Sequence, residues 1–400
     1  MAYSSRALIV VALTIFVDTF ICGIIVPVLP LYTKTLGLSS FQLGMIFSAY
    51  SAALLLLSIP LGVISDRLGR KNIMIFGMVA LTVTTIAFTQ ARTFPALFLI
   101  RLLQGVAASA TWVVGPALIA DLYRPAERGG KMGLAMMGNN FGFLFGPVVG
   151  GFLYDWGGYG APFGVSAFLT VSVLIAVIVL IKEPSRGKVS QERISLKVLL
   201  NNRILLVGCG MMLVASMGFG FIDPLLPGYF SDKFSASPTI IGWLFGAISV
   251  TSLVAQPLFG RLSDQAGRVP LIVVGIFATA IVLPLLTLAP TIKGSMLVMA
   301  MLGMTYGLIM TPISPLLADA ITQQNDQASY GTVFGLNNTA FSLGYTAGPL
   351  LGGAFVDQWG LRNLFLVFSV TLVCYLPVLL AGTRGLARPG EIKIDAKSSS

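Results

Sequence analysis

Histidine is absent from all 400 residues, and the three cysteines, Cys22, Cys209 and Cys374, each fall inside a long apolar run. Acid–base chemistry is therefore left to carboxylates, with arginine and tyrosine in support. Neither a disulfide framework nor a metal-ligand cluster is spelled out, and no cofactor is implied. The carboxylate that stands apart is Asp18, alone in the apolar run from Leu8 to Leu31. Its distance from Leu8 along a helix is about 15 Å at 1.5 Å per residue, close to the middle of a hydrocarbon core about 30 Å thick. A charge at that depth costs at least ~2.5 kcal/mol, and the aspartate side chain is too short to reach the headgroups. Two readings account for it: a functional group facing a polar cavity, or one half of a structural ion pair with Arg101.

Arg101 itself lies about 10 Å inside the fourth apolar run. A guanidinium keeps its charge there, so it needs acceptors, and Gln104 stands one helical turn away. Arg101 either responds to the charge of a nearby carboxylate or is tethered to backbone carbonyls. Asp223 sits in the last third of the seventh run, directly before Pro224, where an irregular helix is expected. It reads as a second proton- or cation-binding carboxylate or as a helix-end residue near water. Asn139 and Asn140 in the fifth run, with Asn337 and Asn338 in the eleventh, offer further polar contacts. Trp112, Trp243, Tyr306, Phe334, Phe341 and Tyr345 are candidates for the wall of a cation-binding cavity, since cations favour aromatic faces. Packing against lipid or neighbouring helices is the ordinary role of each.

What must position these residues is a membrane domain. The chain is 56% hydrophobic and 10% charged, whereas soluble domains are about one quarter charged. Apolar runs bounded by Gly, Pro and charge clusters predict twelve spans at about 8–31, 41–64, 72–90, 94–118, 131–154, 161–181, 204–226, 240–261, 270–289, 295–318, 329–354 and 362–382. The first run is too long for a signal peptide and contains Asp18, so it is expected to be retained. The net charge of +10 falls in the short segments between spans, which argues for membrane orientation rather than nucleic-acid binding. Arg6, Arg67, Arg70, Lys71, Arg124, Arg128, Lys131, the basic residues of 182–203, Arg261, Arg268 and those of 384–397 fall on one side, with only Lys34, Arg92, Lys233, Lys293 and Arg362 on the other. That asymmetry predicts cytoplasmic termini. No GxxxxGK[ST] phosphate loop and no nucleophile constellation is present, so neither an enzyme nor an ATP-driven pump is expected.

The halves repeat. GVISDRLGRK from Gly62 returns as GRLSDQAGR from Gly260, so that Gly62, Asp66, Gly69 and Arg70 recur as Gly260, Asp264, Gly267 and Arg268. GFLFGPVVGG from Gly142 returns as GYTAGPLLGG from Gly344. Ordered matches at nearly one offset indicate duplication, and two parallel six-span repeats are a transporter layout with substrate held between them at mid-membrane. The expected organisation is an N-terminal six-helix bundle over 1–182, a cytoplasmic linker with one amphipathic turn over 183–203, a C-terminal six-helix bundle over 204–384 and a tail over 385–400. In the loop motif, glycine permits a tight reversal while Asp66 pairs with Arg67 or Arg70 or caps the next helix. The fifth-span motif puts Gly142, Gly146, Gly150 and Gly151 on one face, and Pro147 removes a backbone hydrogen bond.

These features resemble the major facilitator superfamily over nearly the whole chain. Asp18, RLLQG from Arg101 and GxxxGPxxGG from Gly142 narrow the resemblance to its drug and amine proton antiporters. Asp18 with Pro27 and Pro30, Asp223 with Pro224 and Pro227, Glu127 to Gly133 and Gly146 to Phe163 are similar to the vesicular amine transporters and their bacterial relatives. The resemblance implies an all-α membrane protein of twelve helices in two pseudo-symmetric bundles. It implies proton-coupled export of lipophilic organic cations across the cell membrane, by a monomer without cofactor or metal. Asp18, Asp223, Asp319 and Arg101 would couple protons, and Asp18, Gln104, the four asparagines, Tyr306 and Phe334 would meet substrate. Asp66, Arg70, Asp264 and Arg268 would latch the bundles together, while Gly142, Gly146, Pro147, Gly348 and Pro349 would gate against the opposite bundle. Taken without the resemblance, Asp319 reads as an interfacial residue. One departure is that Tyr50 and Asn338 stand where the vesicular transporters have a lysine and an aspartate; losing both leaves neither charge stranded. Two alternatives remain: a symporter or facilitator for sugars or other metabolites, which would call for more polar side chains in the spans, and a sensor that no longer transports.

Overall fold

The computed structural model describes residues 2–183, 202–322 and 330–384. Among them there are helices and no strands, as a bilayer demands of any chain that does not close a barrel, because every backbone N–H and C=O must find its partner within the segment. The helices are α1 (Ala2–Thr35), α2 (Ser40–Leu68), α3 (Arg70–Phe88), α4 (Phe94–Leu122), α5 (Pro125–Gly157), α6 (Gly160–Leu180), α7 (Arg203–Phe234), α8 (Pro238–Ala266), α9 (Arg268–Leu288), α10 (Ile292–Thr322) and α11 (Tyr330–Gly382). Each is long and apolar enough to span a membrane. The last has 53 residues, about 80 Å at 1.5 Å per residue, more than twice the hydrocarbon thickness. Gly360, at φ 77° and ψ 162°, breaks it, so α11 makes two crossings and the twelve expected spans are all present. The expected linker, apart from its first and last two residues, and the tail from 385 lie outside the described residues.

Helix boundaries follow local chemistry. Ser39 and Gln42 form a reciprocal capping box at the start of α2, while Asn202 and Ser237 cap α7 and α8. Gly69 and Gly267, equivalent positions of the loop repeat, reverse the chain at φ 99° and 95°, a region open to glycine and strained for other residues. Gly158 and Gly360, separated by the offset of the GPxxGG repeat, do the same at the other end of the molecule. The duplication is thus visible in backbone conformation. The irregular helix expected at Asp223 is not found: α7 continues through Pro224 and Pro227, as α1 does through Pro27 and Pro30.

Two large apolar cores form, beside a small third cluster of Ala255, Phe259 and Leu271. One is drawn from residues between Ala7 and Ile181, the other from residues between Leu205 and Leu379 with Val26 of α1 added. In the first half α1 packs on α5 and α2 on α4; in the second α7 packs on α11 and α8 on α10. Between halves the contacts run chiefly along α2–α11 and α5–α8. The central acids lie on α1 and α7, which also touch each other at this seam.

Candidate functional site

Asp18 is 1% exposed. Its Oδ2 accepts two hydrogen bonds, from the Tyr50 hydroxyl of α2 at 2.7 Å and from the Trp112 indole N–H of α4 at 2.7 Å. Its Oδ1 has no partner. The polar neighbours Thr14 and Thr19 return their hydroxyls to α1's own carbonyls and do not reach it. The carboxylate is therefore held by neutral donors on one oxygen only. It has a free acceptor in a place where an unsatisfied polar atom is costly.

Arg101, also buried, makes no ion pair with Asp18. The ring of Tyr50 stands between them: the guanidinium lies 4.5 Å from that ring's centroid and 5.9 Å from the Phe47 ring. One guanidinium nitrogen donates to Gln104 Oε1 at 3.1 Å, while Arg101 Nε and Gln104 Nε2 are unpartnered. The structural ion pair weighed from sequence is thus absent; arginine and acid are joined through Tyr50, by a cation–π contact on one side and a hydroxyl on the other.

Asp223, 8% exposed on α7, repeats the theme in the second half. Its Oδ2 accepts from the hydroxyl of Tyr345 on α11, whose ring stacks on Phe341 at 5.6 Å. Tyr306 is fully buried beside Phe219, its hydroxyl unpartnered.

The other sequence candidates disperse. Asn139 and Asn140 are half-buried and their side chains make no hydrogen bond among the described residues, Asn337 donates to Ser314 at 3.1 Å, and Asn338 is exposed. The Tyr50 hydroxyl is spent on Asp18, and among the described residues no hydrogen bond joins it to Asn338. The side chain of Phe334 lies outside the described residues. Trp243 faces outward on the flank of α8, more than half exposed. Asp319 joins neither central acid: it binds Arg268 Nε at 3.0 Å, and Arg268 also binds Asp264 at 2.5 Å and Ser263. Arg70 does the same with Asp121 at 3.1 Å, Asp66 at 2.7 Å and Ser65, and Glu183 caps the start of α3. These named bonds of Asp66, Arg70, Asp264 and Arg268 lie within a bundle, not between bundles as a latch would place them.

The glycine motifs also divide their work. Gly142 and Gly146 pack on α1 of their own half, and Gly344 and Gly348 on α7, where the sequence placed them against the opposite bundle. The last glycine of each motif does face the opposite bundle, Gly151 against the Pro238 carbonyl of α8 and Gly353 against the Ser40 carbonyl of α2, and two further cross-seam approaches are made by the carbonyls of Pro147 and Pro349. A Cβ on Gly242 of α8 would stand 2.3 Å from the first, and one on Gly44 of α2 would stand 2.0 Å from the second. Beyond these points the seam is tied by polar groups. Asp155 accepts from the Thr239 N–H at 3.0 Å and Asp357 from the Ser40 and Phe41 N–H groups at 2.9 Å each, so each carboxylate caps a helix of the other half. Lys34 pairs with Asp232 at 2.5 Å, and the Ser48 hydroxyl donates to the Thr346 carbonyl at 2.6 Å. All these cross-seam bonds lie in the half of the molecule away from the termini.

The expectation that Asp18 faces a polar cavity is not met in this conformation. Tyr50 and Trp112 close over it, and of two cavities near the seam, about 670 Å³ and about 280 Å³, neither is lined by Asp18. The sequence offered Trp112 and Tyr345 only as candidate cavity walls and Tyr50 only as a departure from the vesicular pattern, and it left two residues with no role at all, Asp155 and Asp357. The last two stand at the same offset as Gly142 and Gly344 of the GPxxGG repeat, and that shared offset is the signal that could have found them.

Comparison with known proteins fits this geometry. The profile described as Major Facilitator Superfamily matches residues 11–219 and again 208–398. The chain is 30% identical over 341 residues to a human chromaffin granule amine transporter, covering 84% of this chain and 64% of that protein. It is 28% identical over 353 residues to a bovine synaptic vesicular amine transporter, covering 87% and 68%. With the quinolone resistance protein NorA of Staphylococcus aureus it shares 26% over 385 residues, covering 94% and 96%. In structure it is similar to a bacterial homologue of the human lysosomal transporter Spinster, with a TM-score of 0.80 at 18% identity over 96% of this chain and 97% of that one. The nucleoside transporter NupG gives 0.71 at 16%, over 94% and 100%.

Proposed function

The chain belongs to the major facilitator superfamily of membrane transporters, and on that premise we propose that it is a proton-coupled antiporter expelling lipophilic organic cations. The observation that carries the proposal is the state of Asp18: buried at mid-span, supported by two neutral donors, with one oxygen left without a partner. A carboxylate so placed can hold either a proton or a substrate ammonium, and loading one releases the other by mass action. Asp223 with Tyr345 is a second exchangeable acid in the opposite half. Arg101, lying on the Tyr50 ring, transmits the charge state of Asp18 to α2 and α4. The similarity to amine transporters and to a quinolone resistance protein supports a cationic, drug-sized substrate.

The basic residues at the end bearing the termini put that end in the cytoplasm. The seam is then closed toward the outside, and the cytoplasmic halves of the same helices present exposed Leu56, Ile59, Leu134, Met137, Val254 and Leu258. This is an inward-facing arrangement in which Asp18 is still covered, so exchange requires Trp112 to move aside. Asp319, held by Arg268, serves the cytoplasmic charge cluster rather than the proton path.

The test is uptake of a labelled lipophilic cation into proteoliposomes under an imposed pH gradient. Asp18→Asn, nearly isosteric and uncharged, is expected to abolish gradient-driven uptake while the protein remains folded. Full uptake by that variant would refute the assignment. In a thermal-shift titration of the wild type, stabilisation by the cation should weaken as pH falls.

A further inference from the structure

On the flank where α5, α8 and α10 meet lies a cleft of about 670 Å³. Its walls are apolar: Phe145 and Val148 from α5, Trp243 and Val250 from α8, Leu297 and Ala300 from α10. It crosses the seam, since α5 belongs to one half and α8 and α10 to the other. From Trp243 to Thr251 the α8 wall alone rises ~12 Å, a depth that runs from the loop end of the helices into the hydrocarbon. Lys293, in the first turn of α10, stands at the shallow end. It is exposed and makes no hydrogen bond or ion pair among the described residues. A long apolar channel with one unpaired ammonium at interfacial depth is complementary to an amphiphile that carries an anionic head and a hydrocarbon tail. It is unsuited to the proposed cationic substrate, which Lys293 repels.

We propose that this groove is a site for one anionic phospholipid of the outer leaflet, its acyl chain lying between α5, α8 and α10 and its phosphate on Lys293. The bilayer supplies this occupant directly. Filling the groove with hydrocarbon alone gives little preference, because every lipid tail is as apolar as the next; selectivity must come from the charge at the rim. Because the walls come from both halves, and Val148 and Gly246 meet at the floor, an occupied groove fills the seam in its closed state. The proposal needs only that the chain spans a bilayer with its termini in the cytoplasm, so its fate is independent of the antiport reading.

The experiment uses the full chain in phosphatidylcholine nanodiscs containing a minor fraction of brominated lipid, either phosphatidylglycerol or phosphatidylcholine. The readout is the fluorescence of Trp243, taken as wild type minus Trp243→Phe. Brominated phosphatidylglycerol is expected to quench at about fivefold lower content than brominated phosphatidylcholine, the enrichment given by one basic residue near a charged headgroup. Lys293→Gln, an exposed change, should erase that difference, and Ala300→Phe should reduce quenching by both lipids. Equal quenching by the two lipids in the wild type, or a preference that survives Lys293→Gln, overturns the proposal. Stronger quenching by a brominated lipophilic amine, enhanced in Lys293→Glu, would give the groove to cationic amphiphiles instead and overturn it equally.

Discussion

Trp112 is bonded to the one group on which the proposed exchange depends. Its indole N–H and the Tyr50 hydroxyl both end on Asp18 Oδ2, and a hydrogen bond to a charged group contributes about 1.5–3 kcal/mol. Trp112→Phe keeps an aromatic ring and removes the donor. The carboxylate that must attract the cation is then less well supported, and affinity for a lipophilic amine at neutral pH should fall about tenfold, one hydrogen bond's worth. Equilibrium binding by scintillation proximity would measure it; an unchanged affinity would mean that the indole is only a cover. Asp18 and Arg101 were legible in the sequence because each breaks an apolar run at a depth where charge is costly. Their surroundings were not. Tyr50 and Trp112 are far from Asp18 along the chain, on other helices, and an aromatic residue in a membrane helix carries no mark of what its polar tip will meet. The sequence could weigh an Asp18–Arg101 pair but not see that a tyrosine ring would lie between the two.

At the level of helices, the seam is closed by backbone as much as by side chains. Asp155 at the end of α5 caps α8, and Asp357, in α11 just before its break at Gly360, caps α2. A carboxylate at a helix N-terminus is worth about 1 kcal/mol, and here each cap exists only while the halves are together. Removing both by Asp155→Ala with Asp357→Ala should favour the outward-open state by roughly 2 kcal/mol, about thirtyfold in population. Ser48→Cys, at a buried position of the seam itself, reports this with Ser48→Cys alone as the parent: a membrane-impermeant thiol reagent added outside should label it at least several times faster when both caps are also removed. Labelling at the parental rate would show that the caps do not hold the gate. The duplication made such elements partly readable. The offset that links Asp66 to Asp264 also links Asp121 to Asp319, and both Asp121 and Asp319 bind the arginine of their own half. Matching Asp319 to another family's acid sets it among the proton carriers, whereas matching it to its own repeat sets it beside Arg268. The glycine stripe looks in the sequence like one surface, yet a helix between two neighbours shows each a different face, and only the three-dimensional packing assigns Gly142 to α1 and the Pro147 carbonyl to α8.

The molecule as a whole is two similar bundles whose equivalent parts meet. Lys34 at the end of α1 and Asp232 at the end of α7 stand at the same spacing as Asp66 and Asp264, so they are equivalent positions of the two halves, and they join across the seam at 2.5 Å. A pair of equivalent positions in contact lies near the axis that relates the halves, so the outward-facing state must separate them. Alternating access then makes a specific demand. If Lys34→Cys with Asp232→Cys is bridged by a short, reducible bifunctional thiol reagent, the molecule is confined to states closed toward the outside. Gradient-driven uptake in proteoliposomes should fall to background and return when the bridge is reduced. Binding of the cation from the cytoplasmic face should persist within about twofold, since a rigid-body tie far from Asp18 removes none of its contacts and sites without shared partners act independently. The uncrosslinked double variant lacks an exposed ion pair worth under about 1 kcal/mol and the Lys34 hydrogen bond to the Gly228 carbonyl; it should transport nearly normally and serves as the reference. Transport that continues with the bridge intact would mean that the halves do not rock apart at this end, and the exchange at Asp18 would need a route other than the seam.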